Sequence, residues 1–285
     1  FSVGTTTVAY LVTDAAGLTA SCSFDVTVND TEPPVITCPA DMTLGVDVGF
    51  CAGTATFNAA TFTDNCAGGS VSQTGGLGSG SQFGVNSSPN TVEFTATDAA
   101  GNMSSCSFTI TVNDDEDPTI VCPLDIVVDN DANQCDAVVN WIPPSGSDNC
   151  PAFGVVRTAG PAEGSTFAVQ STTTITYEVT DASSNTADCS FTVTVEDNDF
   201  PLVTCPADQN VTFPGCSYTV PDYLGSGLVT RTDNCSPLTE AQTPAASTVI
   251  TAATTVQISI TDPSGNESIC AFDINPLDNT PPTFD

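Results

Sequence analysis

The chain repeats itself with a period of about 83 residues, and this period constrains the fold more than any other feature of its 285 residues. Four cysteines recur in each period, of which the first lies in "CP", the third in "DNC" and the fourth in "CSF" or "CAF". The four sets are Cys38, Cys122 and Cys205; Cys51, Cys135 and Cys216; Cys66, Cys150 and Cys235; and Cys106, Cys189 and Cys270. Cys22 belongs to the fourth set and completes the thirteen cysteines. A fixed period of this kind predicts a row of similar structural units.

The acidic segments that precede each "CP" mark the boundaries of the repeats. We predict three complete repeats, at residues 30–113, 114–196 and 197–277. Residues 1–29 match only the last third of a repeat, and residues 278–285 match the start of a further one. Because no signal peptide is visible at Phe1, we expect either a mature product or a window of a longer array.

Within a repeat, apolar and polar residues alternate. In "TVEFTATD", Val92, Phe94 and Ala96 fall on one face, and threonines and Glu93 fall on the other. A period of two with many β-branched residues predicts half-buried strands. Roughly seven short strands in a repeat of this length are typical of an immunoglobulin-like sandwich. We therefore predict an all-β fold of tandem immunoglobulin-like β-sandwich domains, stapled by disulfides.

The charge is strongly unbalanced, with 34 Asp and Glu against two basic residues and a net charge of −32. This excess disfavours nucleic acid and anionic membrane surfaces as partners and favours cations. No apolar run approaches the ~18 residues of a membrane span. The chain has no histidine and no lysine. A Ser-His pair and a Schiff-base lysine are therefore absent, and we expect no enzymatic activity.

Several motifs recur together: an acid-Pro-Pro junction, "CP", "TDNC", "GSxFxV", "TxTYxxTDxxxN" and "CSFTVTV". Together they resemble the hyalin (HYR) repeat, an extracellular immunoglobulin-like module. The resemblance covers essentially the whole chain, although the second and third cysteines of each repeat are additional to the shorter form of the family. It implies a secreted or cell-surface array with adhesion or matrix roles. The partners it implies are further copies of the same repeat or chain, and surface glycans or matrix proteins.

The sandwich topology suggests a disulfide pairing, because its first and last strands start at the same pole. On this basis Cys38 pairs with Cys106, Cys122 with Cys189 and Cys205 with Cys270. Elimination then pairs Cys51 with Cys66, Cys135 with Cys150 and Cys216 with Cys235. A strand lies between the two cysteines of each pair that is assigned by elimination, so a bridge between neighbouring repeats is the competing interpretation. Cys22 is expected to lack a partner, because its mate would lie before Phe1.

Three groups of acids recur in phase, in the junctions between repeats, in "DNC" and in "TD". In a sandwich all three groups lie near the pole that receives the preceding repeat. Six to eight hard oxygen ligands are what Ca²⁺ takes, so we predict a structural Ca²⁺ at each junction. The candidate ligands are Asp30, Glu32, Asp64, Asp98, Asp114, Glu116, Asp148, Asp181, Asp197, Asp199, Asp233 and Asp262, and Asp278 continues the junction set. The alternative is that these aspartates cap turns and that the junction acids are merely solvated.

These features predict a structural extracellular protein that forms a stiff filament or surface stalk, rigidified by Ca²⁺ at its junctions. The alternative is a cell-surface adhesin that binds carbohydrate or protein ligands through the same repeats. An adhesin needs an aromatic platform or a distinctive insertion. The single tryptophan, Trp141, is better interpreted as a core residue.

Overall fold

The computed structural model describes residues 1–87 and 89–277. The predicted start of a further repeat at residues 278–285, with Asp278, lies outside the described residues. The described chain is built from β-strands, with 3₁₀ turns at Val85–Ser87 and Pro214–Cys216 as its helical segments. Within these bounds there is no helix with the length and apolar character needed to cross a bilayer. The predicted all-β class is confirmed.

The chain divides into two compact units. The first unit comprises Phe1–Thr119, Gly146–Gly154 and Val179–Ala187, and the second comprises Ile120–Ser145, Val155–Glu178 and, within the described residues, 188–277. We call the segments that enter the three complete repeats junction 1 (residues 29–34), junction 2 (residues 113–118) and junction 3 (residues 196–201). Junctions 1 and 2 lie in the first unit and junction 3 lies in the second.

The first unit begins with a hairpin and continues with a sandwich. Its strands are β1 (Gly4–Thr13), β2 (Thr19–Val28), β3 (Val35–Thr37), β4 (Met42–Gly45), β5 (Ala52–Ala55), β6 (Thr61–Thr63), β7 (Ser70–Gly75), β8 (Ser81–Gly84), β9 (Asn90–Thr97) and β10 (Met103–Asn113). One sheet has the order β4-β10-β9-β7, in which β4 runs parallel to β10 and the other pairs are antiparallel. The short antiparallel pairs β3–β6 and β5–β8 contribute to the same core.

The predicted alternation sets this core. Val92, Phe94 and Ala96 on β9 are all buried, and they point to one side of the sheet because successive side chains of a strand face opposite ways. Phe108 and Ile110 on β10 are buried in the same cluster as Val92 and Phe94. Threonines, serines and Glu93 occupy the intervening positions, which gives each strand one apolar and one polar face.

The hairpin of β1 and β2 has the same alternation but a different environment. The two strands pair along their whole length, from Gly4 with Val28 to Thr13 with Thr19. Tyr10 and Phe24 stack with ring centroids 6.2 Å apart, yet Tyr10 is 60% exposed. Within the described residues no facing sheet covers these rings.

The second unit contains most of the second complete repeat and all of the described third one. The second and third complete repeats contain the remaining strands, of which one (β14) and parts of four others fall in the first unit. These strands are β11 (Thr119–Ile120), β12 (Ile126–Asp129), β13 (Asp136–Val139), β14 (Gly146–Ser147), β15 (Gly154–Ala159), β16 (Ser165–Ala168), β17 (Thr172–Thr180), β18 (Thr186–Glu196), β19 (Leu202–Thr204), β20 (Gln209–Thr212), β21 (Tyr218–Thr219), β22 (Thr230–Thr232), β23 (Thr239–Thr243), β24 (Val249–Ile250), β25 (Thr254–Thr261) and β26 (Glu267–Leu277). The sheet orders β12-β18-β17-β15 and β20-β26-β25-β23 repeat the topology of the first sandwich.

Trp141 belongs to a core, as the sequence predicts. Its ring makes edge contacts with Phe167 and Phe191, with centroids 6.1 and 5.4 Å away. Its indole Nε1 donates to the hydroxyl of Tyr177 over 2.9 Å, which satisfies the polar atom of a partly buried aromatic. Trp141 is therefore a packing residue of the second sandwich.

Each complete sandwich carries one internal disulfide. The bridges are Cys38–Cys106, Cys122–Cys189 and Cys205–Cys270, with Cα–Cα distances of 5.8, 5.6 and 5.8 Å. These are the pairs that the sandwich topology predicts. Each bridge closes a long loop, which stabilises the fold by roughly 4 kcal/mol in the chain-entropy account.

Candidate metal centre at the repeat junctions

Two further disulfides join consecutive repeats. Cys51 is bonded to Cys150 and Cys135 to Cys235, with Cα–Cα distances of 4.7 and 5.0 Å. The prediction that Cys51 pairs with Cys66, Cys135 with Cys150 and Cys216 with Cys235 is therefore wrong, and the competing interpretation describes the molecule. Among the described cysteines, Cys22, Cys66 and Cys216 are unbonded.

The pairing assigned by elimination fails because the second and third cysteines of a repeat lie at opposite ends of its sandwich. Cys66 groups with Asp30, which enters the repeat at junction 1. Cys51 ends the turn that follows β4, and the turn residue Gly49 donates its backbone N–H to Glu116 of junction 2 over 2.8 Å. The second cysteine of a repeat thus faces the following repeat, and the third cysteine faces the preceding one.

The outer acids of junction 2 bind this turn. Val46 donates its backbone N–H to Asp115 over 3.2 Å, beside the bond from Gly49 to Glu116. In junction 3, Asp199 accepts a bond of 3.0 Å from the side-chain amide of Asn130, which lies in the equivalent turn. Glu116 and Asp199, which the sequence predicts as metal ligands, therefore also connect each junction to the preceding repeat, and their role as ligands stays a prediction. Glu32 of junction 1 accepts instead from the side-chain amide of Asn65, over 2.8 Å.

The "TD" aspartates cap the turn between the last two strands of each repeat. Asp98 accepts two bonds of 2.8 Å from Asn102, one from its backbone and one from its side chain, and Asp181 and Asp262 accept the same pair from Asn185 and Asn266. The turn-capping bonds that the alternative interpretation expects are therefore present in all three complete repeats. The side-chain amides of the same asparagines reach the junction backbone, where they donate to carbonyl oxygens over 2.9–3.3 Å; the pairs are Asn102 with Asp30, Asn185 with Asp114, and Asn266 with Asp197.

Junction 2 gathers Asp114 and Asp148. Their carboxylate oxygens and the sulfur of Cys150 lie within 4.8 Å of one another, but the sulfur is in a disulfide, so the oxygens are the donors available to a hard cation. Asp114 is only 7% exposed. Burial raises the pKa of Asp114, and the nearby carboxylates of Asp148 and Asp181 raise it further.

Two buried oxygens of junction 2 lack hydrogen-bond partners among the described residues. They are Oδ1 of Asp148 and Oδ1 of Asn149. The second oxygen of Asp148 accepts from the backbone N–H of Cys150 over 2.9 Å, and the amide nitrogen of Asn149 donates to the carbonyl of Phe50 over 3.0 Å. Each side chain is therefore anchored by one atom while its other oxygen stays unsatisfied.

Junction 3 repeats this arrangement with a third carboxylate. Oxygens of Asp197, Asp233 and Asp262 lie within 4.8 Å of one another, and Asp197 and Asp262 are 6% and 5% exposed. Burial raises the pKa of Asp233, and the carboxylates of Asp262 and Asp197 raise it further. Oδ1 of Asp233 and Oδ1 of Asn234 are buried and, within the described structure, unpartnered.

No basic side chain balances the cluster at junction 3. The only two in the sequence are Arg157 and Arg231. Arg231 pairs with Glu240, and Arg157 donates to the carbonyl of Gly160. At an effective dielectric constant of about 20, two carboxylates about 5 Å apart repel by roughly 3 kcal/mol. The arrangement therefore suits a bound cation.

Junction 1 has a similar acidic cluster and a buried oxygen without a partner among the described atoms, but its cysteine, Cys66, is unbonded. Asp30, Asp64 and Cys66 are grouped within 4.8 Å, and Oδ1 of Asp64 is buried without a partner among the described atoms. Asp30 accepts from the Cys66 thiol and raises its pKa.

The asparagine of "DNC" is the functional residue that the sequence interpretation missed. In Asn149 and Asn234 the side-chain amide nitrogen bonds the preceding repeat, while the side-chain oxygen is buried without a partner among the described residues. The available signal was its recurrence in phase as Asn65, Asn149 and Asn234.

The sequence model of the HYR domain matches residues 1–28, 29–112 and 113–195. Hyalin from Strongylocentrotus purpuratus is 34% identical over 271 residues, which are 88% of this chain and 22% of that protein. Hyalin from Lytechinus variegatus is 34% identical over 218 residues, which are 73% of this chain and 40% of that protein. The chain thus spans less than half of the length of either relative.

Solved cadherin structures align with much of the chain at low similarity. The protocadherin GammaB4 extracellular domain has 16% identity and a TM-score of 0.34, covering 97% of this chain and 56% of the other. Mouse Cadherin-23 EC22-24 has 13% identity and a TM-score of 0.37, covering 86% of this chain and 99% of the other. Superposition at this level supports no argument about ligands or function.

Proposed function

The chain belongs to the HYR domain family, and from that premise we propose that it is an extracellular structural array whose consecutive repeats are locked together by a Ca²⁺ ion at each junction and, at junctions 2 and 3, also by a disulfide. The hyalin relatives support an adhesion-type or matrix-type repeat protein that acts outside the cell. The internal disulfide of each sandwich suits an oxidising compartment.

The observation that carries the Ca²⁺ proposal is the pair of buried, unpartnered oxygens at junction 2 and again at junction 3. A buried acceptor without a partner costs about 1–3 kcal/mol, so a repeated arrangement of this kind needs a compensating partner. At junction 3 the buried Oδ1 atoms of Asp233 and Asn234 have no partner among the described residues, and carboxylate oxygens of Asp197, Asp233 and Asp262 lie within 4.8 Å of one another. Ca²⁺ binds carboxylate and amide oxygens at about 2.4 Å, so oxygens that share one ion lie at most about 4.8 Å apart. The residues present therefore fit the ion.

The predicted ligand set narrows under this proposal. At junction 3 the ligands are Asp197, Asp233 and Asp262 with the side-chain oxygen of Asn234. At junction 2 they are Asp114, Asp148 and the oxygen of Asn149, and at junction 1 they are Asp30 and Asp64. Glu116 and Asp199 hold the linker to the preceding turn, while Asp98 and Asp181 shape the capped turn beside the site. The ion would supply positive charge that no side chain of the cluster supplies.

Calorimetric titration of the full chain with CaCl₂, after treatment with a chelator, tests this assignment. The Asp233→Asn variant should bind one ion fewer, or bind it at least about tenfold more weakly, because ligand charge tunes Ca²⁺ affinity. Asp188→Asn is the matched control, since Asp188 is an exposed strand residue outside the junctions. Absence of binding by the unmodified chain, or an equal loss in the control, would contradict the proposal.

A stiff array is the mechanical consequence that we propose. Small-angle scattering should then give a longer maximum dimension in CaCl₂ than in chelator, and an unchanged dimension would count against stiffening by the ion. Electron microscopy of the native material separates a filament, seen as long uniform fibres, from a stalk with a distinct tip. Binding of glycans or matrix proteins through the same repeats stays a prediction.

A further inference from the structure

The two bridges between repeats follow one rule. The second cysteine of a repeat bonds the third cysteine of the following repeat, with sequence separations of 99 and 100 residues. Two of the unbonded cysteines are the complementary halves of such a bridge. Cys66 occupies the same position as the bonded Cys150 and Cys235, and Cys216 occupies the same position as Cys51 and Cys135.

A pocket lies beside Cys66. It is lined by residues 1–3, Asp30, Cys66, Ala67, Ala99 and Ala100. The motif "FSV" at residues 1–3 matches "FGV" at residues 83–85. In the first complete repeat that segment flanks the second cysteine, because Val85 donates its backbone N–H to the carbonyl of Cys51 and Gly84 pairs with Ala52. The pocket is therefore bordered by the segment that, one repeat later, holds the bridging cysteine.

The asparagine beside Cys66 has the donor that such a loop uses. Asn149 and Asn234 donate their side-chain amides to the carbonyls of Phe50 and Gln134, over 3.0 and 2.9 Å. Each of these carbonyls belongs to the residue just before the bridging cysteine. The equivalent Asn65 donates to the exposed Glu32 instead, a contact that an arriving carbonyl is able to replace.

We propose that Cys66 forms a disulfide with the second cysteine of another HYR repeat, whose turn enters the pocket beside residues 1–3. Cys216, which is itself the second cysteine of its repeat, forms the same kind of bridge with the third cysteine of another repeat. The repeat that supplies the partner belongs either to the same polypeptide or to a second copy of it. The inference goes beyond the proposed function, because it assigns a covalent partner to two thiols and needs no metal.

The oxidant is a low-molecular-weight disulfide such as oxidised glutathione. The partner thiolate first attacks oxidised glutathione, which forms a mixed disulfide and releases one glutathione thiolate. The thiolate of Cys66 then attacks the sulfur of the partner cysteine and releases the second glutathione. The two protein thiols lose two electrons and two protons, and both are recovered in two molecules of reduced glutathione.

The test compares the 285-residue chain with a completed chain, in which a copy of residues 114–166 precedes Phe1 and ends where the "FSV" segment begins. The copy restores a whole repeat and supplies copies of Cys122, Cys135 and Cys150. Both chains are oxidised in a glutathione buffer, alkylated, cleaved before aspartate and analysed by mass spectrometry. Cys66 lies in fragment 64–97, Cys216 in fragment 208–221 and the copied Cys135 in a copy of fragment 131–135.

In the completed chain, fragment 64–97 should be linked to the copy of fragment 131–135, with near-complete loss of alkylation at Cys66. Replacing the copied Cys135 by serine should restore alkylation. Persistence of the Cys38–Cys106 link shows that the repeat is folded in both cases. Alkylated Cys66 in the folded completed chain, or Cys66 linked to Cys22 or to the copied Cys150, would overturn the proposal.

The 285-residue chain identifies the source of the partner. Fragments 64–97 and 208–221 joined in a species of twice the chain mass indicate a second copy, and Cys22→Ser should leave that species intact. If the 285-residue chain stays monomeric with Cys66 unbonded, while Cys66 is bridged in the completed chain, the partner belongs to the same polypeptide. Repeating the mapping in chelator separates this result from the Ca²⁺ proposal, because the sulfur linkage is expected with or without the ion.

Discussion

The interior of a repeat and its junction are built on opposite principles. In the third complete repeat, Val256, Ile258 and Ile260 are fully buried in an apolar core, and the Cys205–Cys270 bridge lies within the same sandwich. At junction 3 the buried groups are carboxylates, one bridge crosses between repeats, and two oxygens have no partner in the described structure. The apolar core of a repeat is formed by that repeat's own strands, whereas the junction takes its groups from two repeats. Under our proposal a cation completes the junction, so substitutions in the interior and in the junction should have different effects.

Ile258→Ala breaks the interior and should have the largest effect. Its side chain is 0% exposed, so truncation leaves a cavity that costs about 2–5 kcal/mol. We expect hydrogen exchange of the β25 and β26 amides to accelerate accordingly. Val249→Ala is the matched control, because Val249 is 62% exposed and should change exchange little. Equal effects of the two substitutions would contradict an autonomous core.

Asn266→Ala tests the link from the interior to the junction. The variant loses the side-chain bond to Asp262 and the bond of 2.9 Å to the carbonyl of Asp197, which together should cost about 1–3 kcal/mol. We expect chemical denaturation to show this loss and calorimetry to show weaker Ca²⁺ binding. Asn210→Ala, at an exposed position of β20, is the control. Unchanged Ca²⁺ affinity would separate the turn from the metal site.

Replacing Cys135 and Cys235 by alanine breaks the junction while leaving each sandwich its own disulfide. The unfolding free energy of the individual repeats should change by less than about 1 kcal/mol, because the bridge lies outside the separate core of each repeat. When Ca²⁺ is removed, these two repeats should adopt a wider range of angles to each other. Small-angle scattering measures this change as a wider distribution of dimensions. A sharp loss of repeat stability would show that the bridge is part of the interior.

The smallest effect concerns an aspartate outside the junctions. Asp125 accepts the backbone N–H of Thr192 over 2.7 Å, and this bond lowers the pKa of Asp125. A lowered pKa in the folded state gives stability that is present above the unfolded pKa of about 3.8–3.9 and is lost as the pH falls through the lower folded value. Asp125→Asn should therefore remove a small contribution that is fully present at pH 7, and the stability of the variant should fall less than that of the unmodified chain as the pH is lowered through that acidic range. Chemical denaturation at a series of pH values between about 2 and 7 measures the difference, and parallel profiles of the two chains would contradict it.

The sequence predicted the interiors better than the junctions. Alternation in "TVEFTATD" is a local signal, and it identified the buried side of β9 as Val92, Phe94 and Ala96. The pairing of Cys51 depended on which pole each loop reaches, which is a property of the folded sandwich and not of spacing. For the same reason nothing in the sequence indicated that the carboxylate of Glu116 accepts a bond from Gly49 of the preceding repeat. Asn149 was missed because its role appears only when the preceding repeat is in place.

An X-ray structure of the chain crystallised in CaCl₂ shows whether a cation occupies the junctions. We expect an anomalous peak at junction 3, about 2.3–2.6 Å from oxygens of Asp197, Asp233 and Asn234, and a similar peak at junction 2 beside Asp114 and Asp148. Ordered water alone at both positions, with Oδ1 of Asp233 and Oδ1 of Asn234 hydrogen-bonded to it, would contradict the claim that a cation locks the repeats together.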